Sequence, residues 1–354
     1  MKRRLESLDA FRGATMAAMI LVNNPGNGAT TYAPLLHAEW HGWTFTDTIY
    51  PSFLWIMGLA MTLSFAQRVE RGDSRAALLR HVARRSAIIF ALGLLLNAFP
   101  HFDPATLRIP GVLQRIAVCY LAGSAVFLFT GLRGQVAALV LLLAGYWALM
   151  TLVPVPGYGP GVLEKHGNLA QYLDSLALSG HMWAQTKTWD PEGILSTLPA
   201  IGTVMLGILA GRLLRVQRLG ALVVLGLALV AAGLIADRWF PINKNLWTTS
   251  FTLFMAGLST LAFAAFYWLI DIQGRHAWAR PFVIFGRNAI AIYVLSGILG
   301  DALGVTGLWT WVFAHVYAPL ANPYNASLLF ALTFVLVLYF IAYGMYRRRW
   351  FVKI

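Results

Sequence analysis

The sequence predicts an all-α fold: a polytopic integral membrane helical bundle of about ten transmembrane helices with both termini in the cytoplasm. Three observations carry that expectation. Hydrophobic residues fill 58% of the 354 positions and charged ones only 12%, with a mean hydropathy of +0.65, more apolar than a soluble surface tolerates. The apolar residues gather into runs of about 20, the length of a bilayer-spanning helix. The 27 Lys and Arg residues, behind a net charge of +13, cluster beside those runs, where they act as topology signals and do not build a nucleic-acid face. Membrane lipid is an expected partner; nucleic acid is not.

Taken in order, the runs lie near 8–24, 45–66, 82–99, 112–130, 134–153, 194–212, 219–236, 247–270, 280–298 and 326–346. In lipid a helix alone satisfies its own backbone, so each reads as a helix. The start, "MKRRLESLDAFRG", opens like a signal peptide, but Asp9 and Arg12 interrupt the apolar stretch and it reads as an uncleaved first helix. The run 302–320, rich in Gly and Trp, reads as an interfacial or re-entrant element. With ten spans, the clusters Lys2–Arg4, Arg68–Arg85, Arg212–Arg218, Arg275–Arg280 and Arg347–Arg349 all fall on one side. Loops 25–44, 100–111, 154–193, 237–246 and 299–325 then face outward. Residues 1–354 form one expected domain, with loop 154–193 as a small cap. Cys119 is the one cysteine, so no intramolecular disulfide can form, and its apolar run makes it a poor nucleophile.

Ionisable groups at membrane depth are costly, and each is a functional candidate unless it has a structural partner. Asp9 and Arg12, three apart, share a helical face and read either as an ion pair or as a grip on an anionic ligand. Arg115 and Arg287 stand just inside apolar runs, where snorkelling is the plainer explanation, though Arg287, a turn or two into an otherwise apolar helix, fits it less well. Lys244, Asn245, Asp190 and Glu192 sit at outward helix mouths and suit a hydroxyl-rich ligand, although Asp190 also fits a helix N-cap. In "HAEWH", His37 and His41 are four apart, but the order departs from the metalloprotease signature and Asp47 alone offers itself as a third ligand; no metal is expected. His37 lies near Trp40 and Trp43, between runs that supply Asn23 and Asp47. An imidazole can take a proton from an attacking amine, an Asn amide can donate to an oxyanion, and a carboxylate can hold the ring tautomer. Those are parts of an acyl-transfer site.

The stretches "SLDAFRG", "VNNPG", "HAEWHGWTFTDTIYPSFLWIMG", "RIPGVLQRIAVCY", "DPEGILST" and "INKNLWTTSF" run in order through most of the chain. In them the sequence resembles the heparan-α-glucosaminide N-acetyltransferase family, with Asn24 and Pro25 departing from the family's aromatic and glycine-rich run. The resemblance implies a transmembrane acetyltransferase that takes acetyl from cytoplasmic acetyl-CoA, its co-substrate, and places it on a terminal amino sugar across the membrane. It puts the active-site histidine on His37, the asparagine on Asn23 and the acid on Asp47. CoA phosphates cannot enter hydrocarbon, so a basic mouth is expected, with Arg12, Arg84, Arg85 and Arg115 as its cations. Trp40, Glu192, Lys244 and Asn245 are the expected sugar contacts. The expected location is the bacterial inner membrane, and a homodimer is allowed for. Two alternatives stay open: an amino-sugar permease, which calls for paired broken helices not found in the sequence, and an O-acetyltransferase of an envelope polysaccharide.

Overall fold

The computed structural model describes residues 5–352, so the topology signals Lys2, Arg3 and Arg4 lie outside the described residues. Within them the regular structure is helical, apart from one isolated bridge between Val155 and Gly159. The chain is a polytopic helical membrane protein. In chain order the helices are α1 (Glu6–Asn23), α2 (Phe45–Glu70), α3 (Arg75–Ala98), α4 (Val112–Phe129), α5 (Leu132–Leu152), α6 (Leu169–Ala177), α7 (Thr197–Arg215), α8 (Leu219–Ala236), α9 (Thr249–Tyr267), α10 (Arg280–Arg287), α11 (Ala289–Val305), α12 (Leu308–Val312) and α13 (Pro323–Arg347).

Each of the ten apolar runs lies on a helix, but among the described residues seven helices are long and apolar enough to cross a membrane, or eight if the bent α10–α11 pair counts as one span. The shortfall from ten falls on α1 and α3, which carry Glu6, Asp9 and Arg12, and Arg80, Arg84 and Arg85. The run 280–298, expected as one helix, is bent by 71° at its break. Asn288 leaves helical geometry there (φ −125°, ψ 30°). Its Nδ2 donates to Trp350 O at 3.0 Å and its Oδ1 accepts from Val352 N at 3.0 Å, so the returning C-terminal segment satisfies the break. Segment 302–320 finishes α11, turns at Gly307 (φ +71°), and continues as α12 and a π-turn over Phe313–Tyr317.

The chain divides into two compact units. The first holds residues through 37, 44–50 and those from 262, and thus α1 and α10–α13; the second holds 38–43 and 51–261. Each is closed by glycines at helix crossings, because in lipid close backbone approach replaces the hydrophobic drive between helices. In the first unit a Cβ on Gly13 would stand 1.7 Å from Phe282 O, and one on Gly286 would stand 1.9 Å from Asp9 O. In the second, a Cβ on Gly58 would meet Val204 O at 2.0 Å, and one on Gly207 would meet Trp55 O at 2.1 Å. Loop 154–193 is folded and contains α6. Its Val155, Leu169 and Ala170 pack in one cluster with Trp40, Tyr146, Leu195 and Phe240.

Candidate active site

The turn before α2 sets a half-exposed histidine against a buried carboxylate in the first unit. His37 follows a short 3-10 turn, Ala33–Leu35, and its Nδ1 lies 2.6 Å from Asp47 Oδ1, with the imidazole half exposed and the carboxylate buried. Asp47 is placed by the helix it starts. Thr44 N donates to Asp47 Oδ2 at 3.0 Å and Asp47 N donates to Thr44 O at 3.1 Å, so "TFTD" acts as a capping box in which the acid closes back on the cap residue. A carboxylate can only accept, so Nδ1 carries the proton and Nε2 is the basic nitrogen. Two hydroxyls tie the preceding turn down: Thr44 Oγ1 donates to Leu36 O at 2.6 Å, and Thr46 Oγ1 donates to Pro34 O at 3.3 Å. The sequence reading missed Thr44, although the cap motif spelled it out.

Asn23 closes α1 and is exposed; the neighbouring Asn24 is buried, with Nδ2 donating to Ile20 O at 2.7 Å. No hydrogen bond joins Asn23 to the His37–Asp47 pair.

The expected sugar contacts Trp40, Glu192, Lys244 and Asn245 belong to the second unit. Trp40 is buried, its Nε1 donating to Leu163 O at 2.9 Å and its ring set edge-on against Trp189, which leaves little face for stacking a sugar. Asn243, not Asn245, holds the fixed amide. Asn243 Oδ1 accepts from Leu246 N at 2.9 Å, which orients Nδ2 toward His41 Nδ1 at 3.3 Å. Nδ1 of His41 therefore accepts, and the proton sits on Nε2, 3.9 Å from Glu164 Oε1. The two histidines are opposite tautomers, His37 a base at Nε2 and His41 a donor there. Lys244 and Asn245 are half-buried in the same turn.

Glu192 is taken up by Arg108, which the sequence reading also missed. Arg108 donates to Asp190 at 2.8 and 2.6 Å and to Glu192 Oε2 at 2.6 Å. Asp190, fully buried, also accepts from Trp183 N and Glu192 N, each at 2.9 Å. Burial works against the Arg108 charge, but the Asp190 bond and the charges of Glu192 and Asp190 outweigh it and raise its pKa. Asp174, on α6, accepts from Ile194 N at 2.9 Å and Asp190 N at 3.3 Å. Burial pushes its carboxyl up to about 6 against those two bonds; the nearby Asp190 charge adds to the rise and Arg115 offsets it.

Of the expected cofactor arginines, Arg12 belongs to the first unit and Arg84, Arg85 and Arg115 to the second. Arg115, buried near the start of α4, donates to Gly193 O at 3.1 Å and Ser196 Oγ at 2.5 Å and lies over the Trp247 ring. Arg85 lies further along the α3–α4 hairpin, over Tyr120, and Arg84 is exposed. Arg12 bonds Asp9 Oδ1 at 3.3 Å and Gly286 O at 3.4 Å. The first unit instead offers a cavity of about 370 Å³ lined by Glu6, Asp9, His276, Arg280, Arg287 and Tyr346 among others. Arg287 is stacked over Tyr346 and Phe351, and His276 Nδ1 lies 3.0 Å from Glu6 Oε2. Among the described residues, no three His, Cys, Asp or Glu side chains gather as a metal site.

A family model described as heparan-alpha-glucosaminide N-acetyltransferase, catalytic, matches residues 4–223. Human heparan-alpha-glucosaminide N-acetyltransferase is 30% identical over 351 residues, which cover 82% of this chain and 52% of the human protein. The mouse protein of the same description is 30% identical over 356 residues, 84% of this chain and 54% of the mouse protein. The chain spans about half the length of these relatives.

Proposed function

The chain belongs to the heparan-alpha-glucosaminide N-acetyltransferase family, and from that membership we propose that it is a transmembrane N-acetyltransferase moving acetyl from cytoplasmic acetyl-CoA to the amine of a glucosamine-type sugar on the outer side of a bacterial inner membrane. The observation that carries the reading is the 2.6 Å contact between His37 Nδ1 and Asp47 Oδ1. Asp47 holds the ring with Nε2 basic. Nε2 takes the proton of the attacking amine as the new C–N bond forms, and passes it to the departing CoA thiolate as the C–S bond breaks. In the two-step variant Nε2 itself attacks the thioester carbonyl and the C–S bond breaks to release the CoA thiolate; the amine then attacks the acetyl-imidazole, the C–N bond to the ring breaks, and the freed Nε2 takes the amine proton. Asn23, exposed at the end of α1, is the proposed donor to the oxyanion.

The cavity in the first unit suits the phosphates of CoA. Arg280, Arg287 and His276 line it, and guanidinium groups are the preferred partners of phosphate oxygens. Arg12 lies on the same helix as Glu6 and Asp9 of that cavity, and α1 carries the chain from there to Asn23 over about 25 Å. Arg84 and Arg85 stay as a second basic cluster. Neutralising Arg280 and Arg287 together should raise the acetyl-CoA KM about tenfold with little change in kcat, the signature of lost uniform binding; if the Arg84/Arg85 double variant does so instead, the nucleotide sits with that cluster.

The whole reading is tested by purified protein in sealed vesicles, with labelled acetyl-CoA on one face and glucosamine on the other. Transfer to the amine is expected only across the membrane. Label on a hydroxyl would make the enzyme an O-acetyltransferase, and sugar uptake without acetylation would make it a permease.

A further inference from the structure

Thr44 touches both members of the His37–Asp47 pair's support, and nothing in the transfer chemistry assigns it a part. Its backbone N–H holds Asp47 Oδ2 at 3.0 Å. Its hydroxyl donates to Leu36 O at 2.6 Å, on the residue just before His37, and lies 3.2 Å from Asp47 Oδ2. One hydroxyl proton cannot serve two acceptors at once. The division of labour is therefore plain: the amide fixes the acid and the hydroxyl fixes the chain that carries the imidazole.

We infer that Thr44 is a positioning residue, a clasp that sets the His37–Asp47 distance and with it the Nδ1–H tautomer that makes Nε2 the base. The inference rests on the proposed transfer reading for its kinetic consequence, but not for its structural one. His37 is half exposed, and a surface imidazole on a turn wanders through rotamers unless its backbone is anchored. Leu36 O is that anchor point, and Asp47 lies three residues beyond Thr44 on the first turn of α2. The clasp thus runs from one side of the pair to the other through a single residue, by its amide on the Asp47 side and its hydroxyl on the His37 side. A helix cap alone would not need it, because the N–H to Oδ2 bond and the Asp47 N–H to Thr44 O bond already close the helix start.

Thr46 supplies the control. Its hydroxyl also bonds the same turn, at Pro34 O, and it is buried, but no hydrogen bond of its side chain reaches Leu36 or Asp47. Thr44→Val keeps the N–H and the branched shape while deleting the hydroxyl, and Thr44→Ser restores the hydroxyl.

The experiment uses the full chain in detergent with 15N-labelled histidine, His37 being assigned by its loss in His37→Gln. The wild type is expected to show His37 protonated at Nδ1. Thr44→Val should shift it toward the Nε2–H form that free imidazole favours and lower kcat about tenfold or more, with both KM values within twofold, as expected for a misplaced catalytic group. Thr44→Ser should return both readings to the wild type, and Thr46→Val should leave both unchanged. The clasp is overturned if Thr44→Val keeps the wild-type tautomer, if Thr46→Val matches it, or if Thr44→Ser fails to rescue. Should the wild type transfer no acetyl at all, the functional reading falls, while the tautomer comparison still decides the clasp.

Discussion

Two ionic clusters in the protein use the same ingredients toward opposite ends. Around Asp190 in the second unit, four donors crowd one fully buried carboxylate: two from Arg108 and the N–H groups of Trp183 and Glu192. That carboxylate has no capacity left for chemistry. In the first unit, Asp47 is just as buried, but its partners include the helix start and an imidazole that is half exposed. Its charge faces a ring that is open to solvent on one side. Saturation makes a structural joint, and a chain of bonds that ends at the surface makes a reactive group.

Breaking the saturated cluster should have the largest effect, and on stability. Arg108→Met would leave two acids buried without their cation, costing about 3 kcal/mol or more; thermal unfolding should show it, while kcat per folded molecule stays near wild type. A collapse of kcat at unchanged stability would erase the contrast. The reverse is expected of His37→Ala: a fall in transfer of about a hundredfold or more, with the unfolding temperature barely moved because the ring is half solvated.

Next in size is Asp174. Its pKa is raised to about 6 in the fold from an ordinary 3.8, so its contribution is fully present below about pH 4 and is lost as pH rises through about 6. Relative to Asp174→Asn, which does not titrate, the wild type should gain about 1–3 kcal/mol on going from pH 7 to pH 4; a flat difference between the two unfolding curves would show that the carboxyl titrates normally. The smallest effect is reserved for His41→Gln. The ring accepts from Asn243 and carries its proton on the Glu164 side, and a glutamine amide can also accept and donate, so about a threefold loss is expected, and a loss as large as that of His37→Ala would shift the role of base to His41.

The helices were legible because lipid leaves an apolar run little choice, which is why all ten runs carry helix. The bend after Arg287 was not, since the partners that satisfy Asn288 lie more than sixty residues away in the C-terminal segment. The same distance problem governed the site. His37 and Asp47 are ten residues apart, and one turn and one helix cap suffice to bring them together. Glu192 meets Arg108, 84 residues upstream, and Trp40 packs in one cluster with Tyr146 and Phe240, and nothing in the local sequence announces either contact.

The glycine contacts between α2 and α7 have a consequence for motion. With Gly58 against Val204 O and Gly207 against Trp55 O, the two backbones interlock at two levels, roughly a turn apart on each helix. Sliding one helix past the other by a single residue would drive a side chain into a carbonyl at either level. The pair therefore has one register and travels as one piece, so no ratchet of α7 along this part of α2 can open or close a path through the membrane.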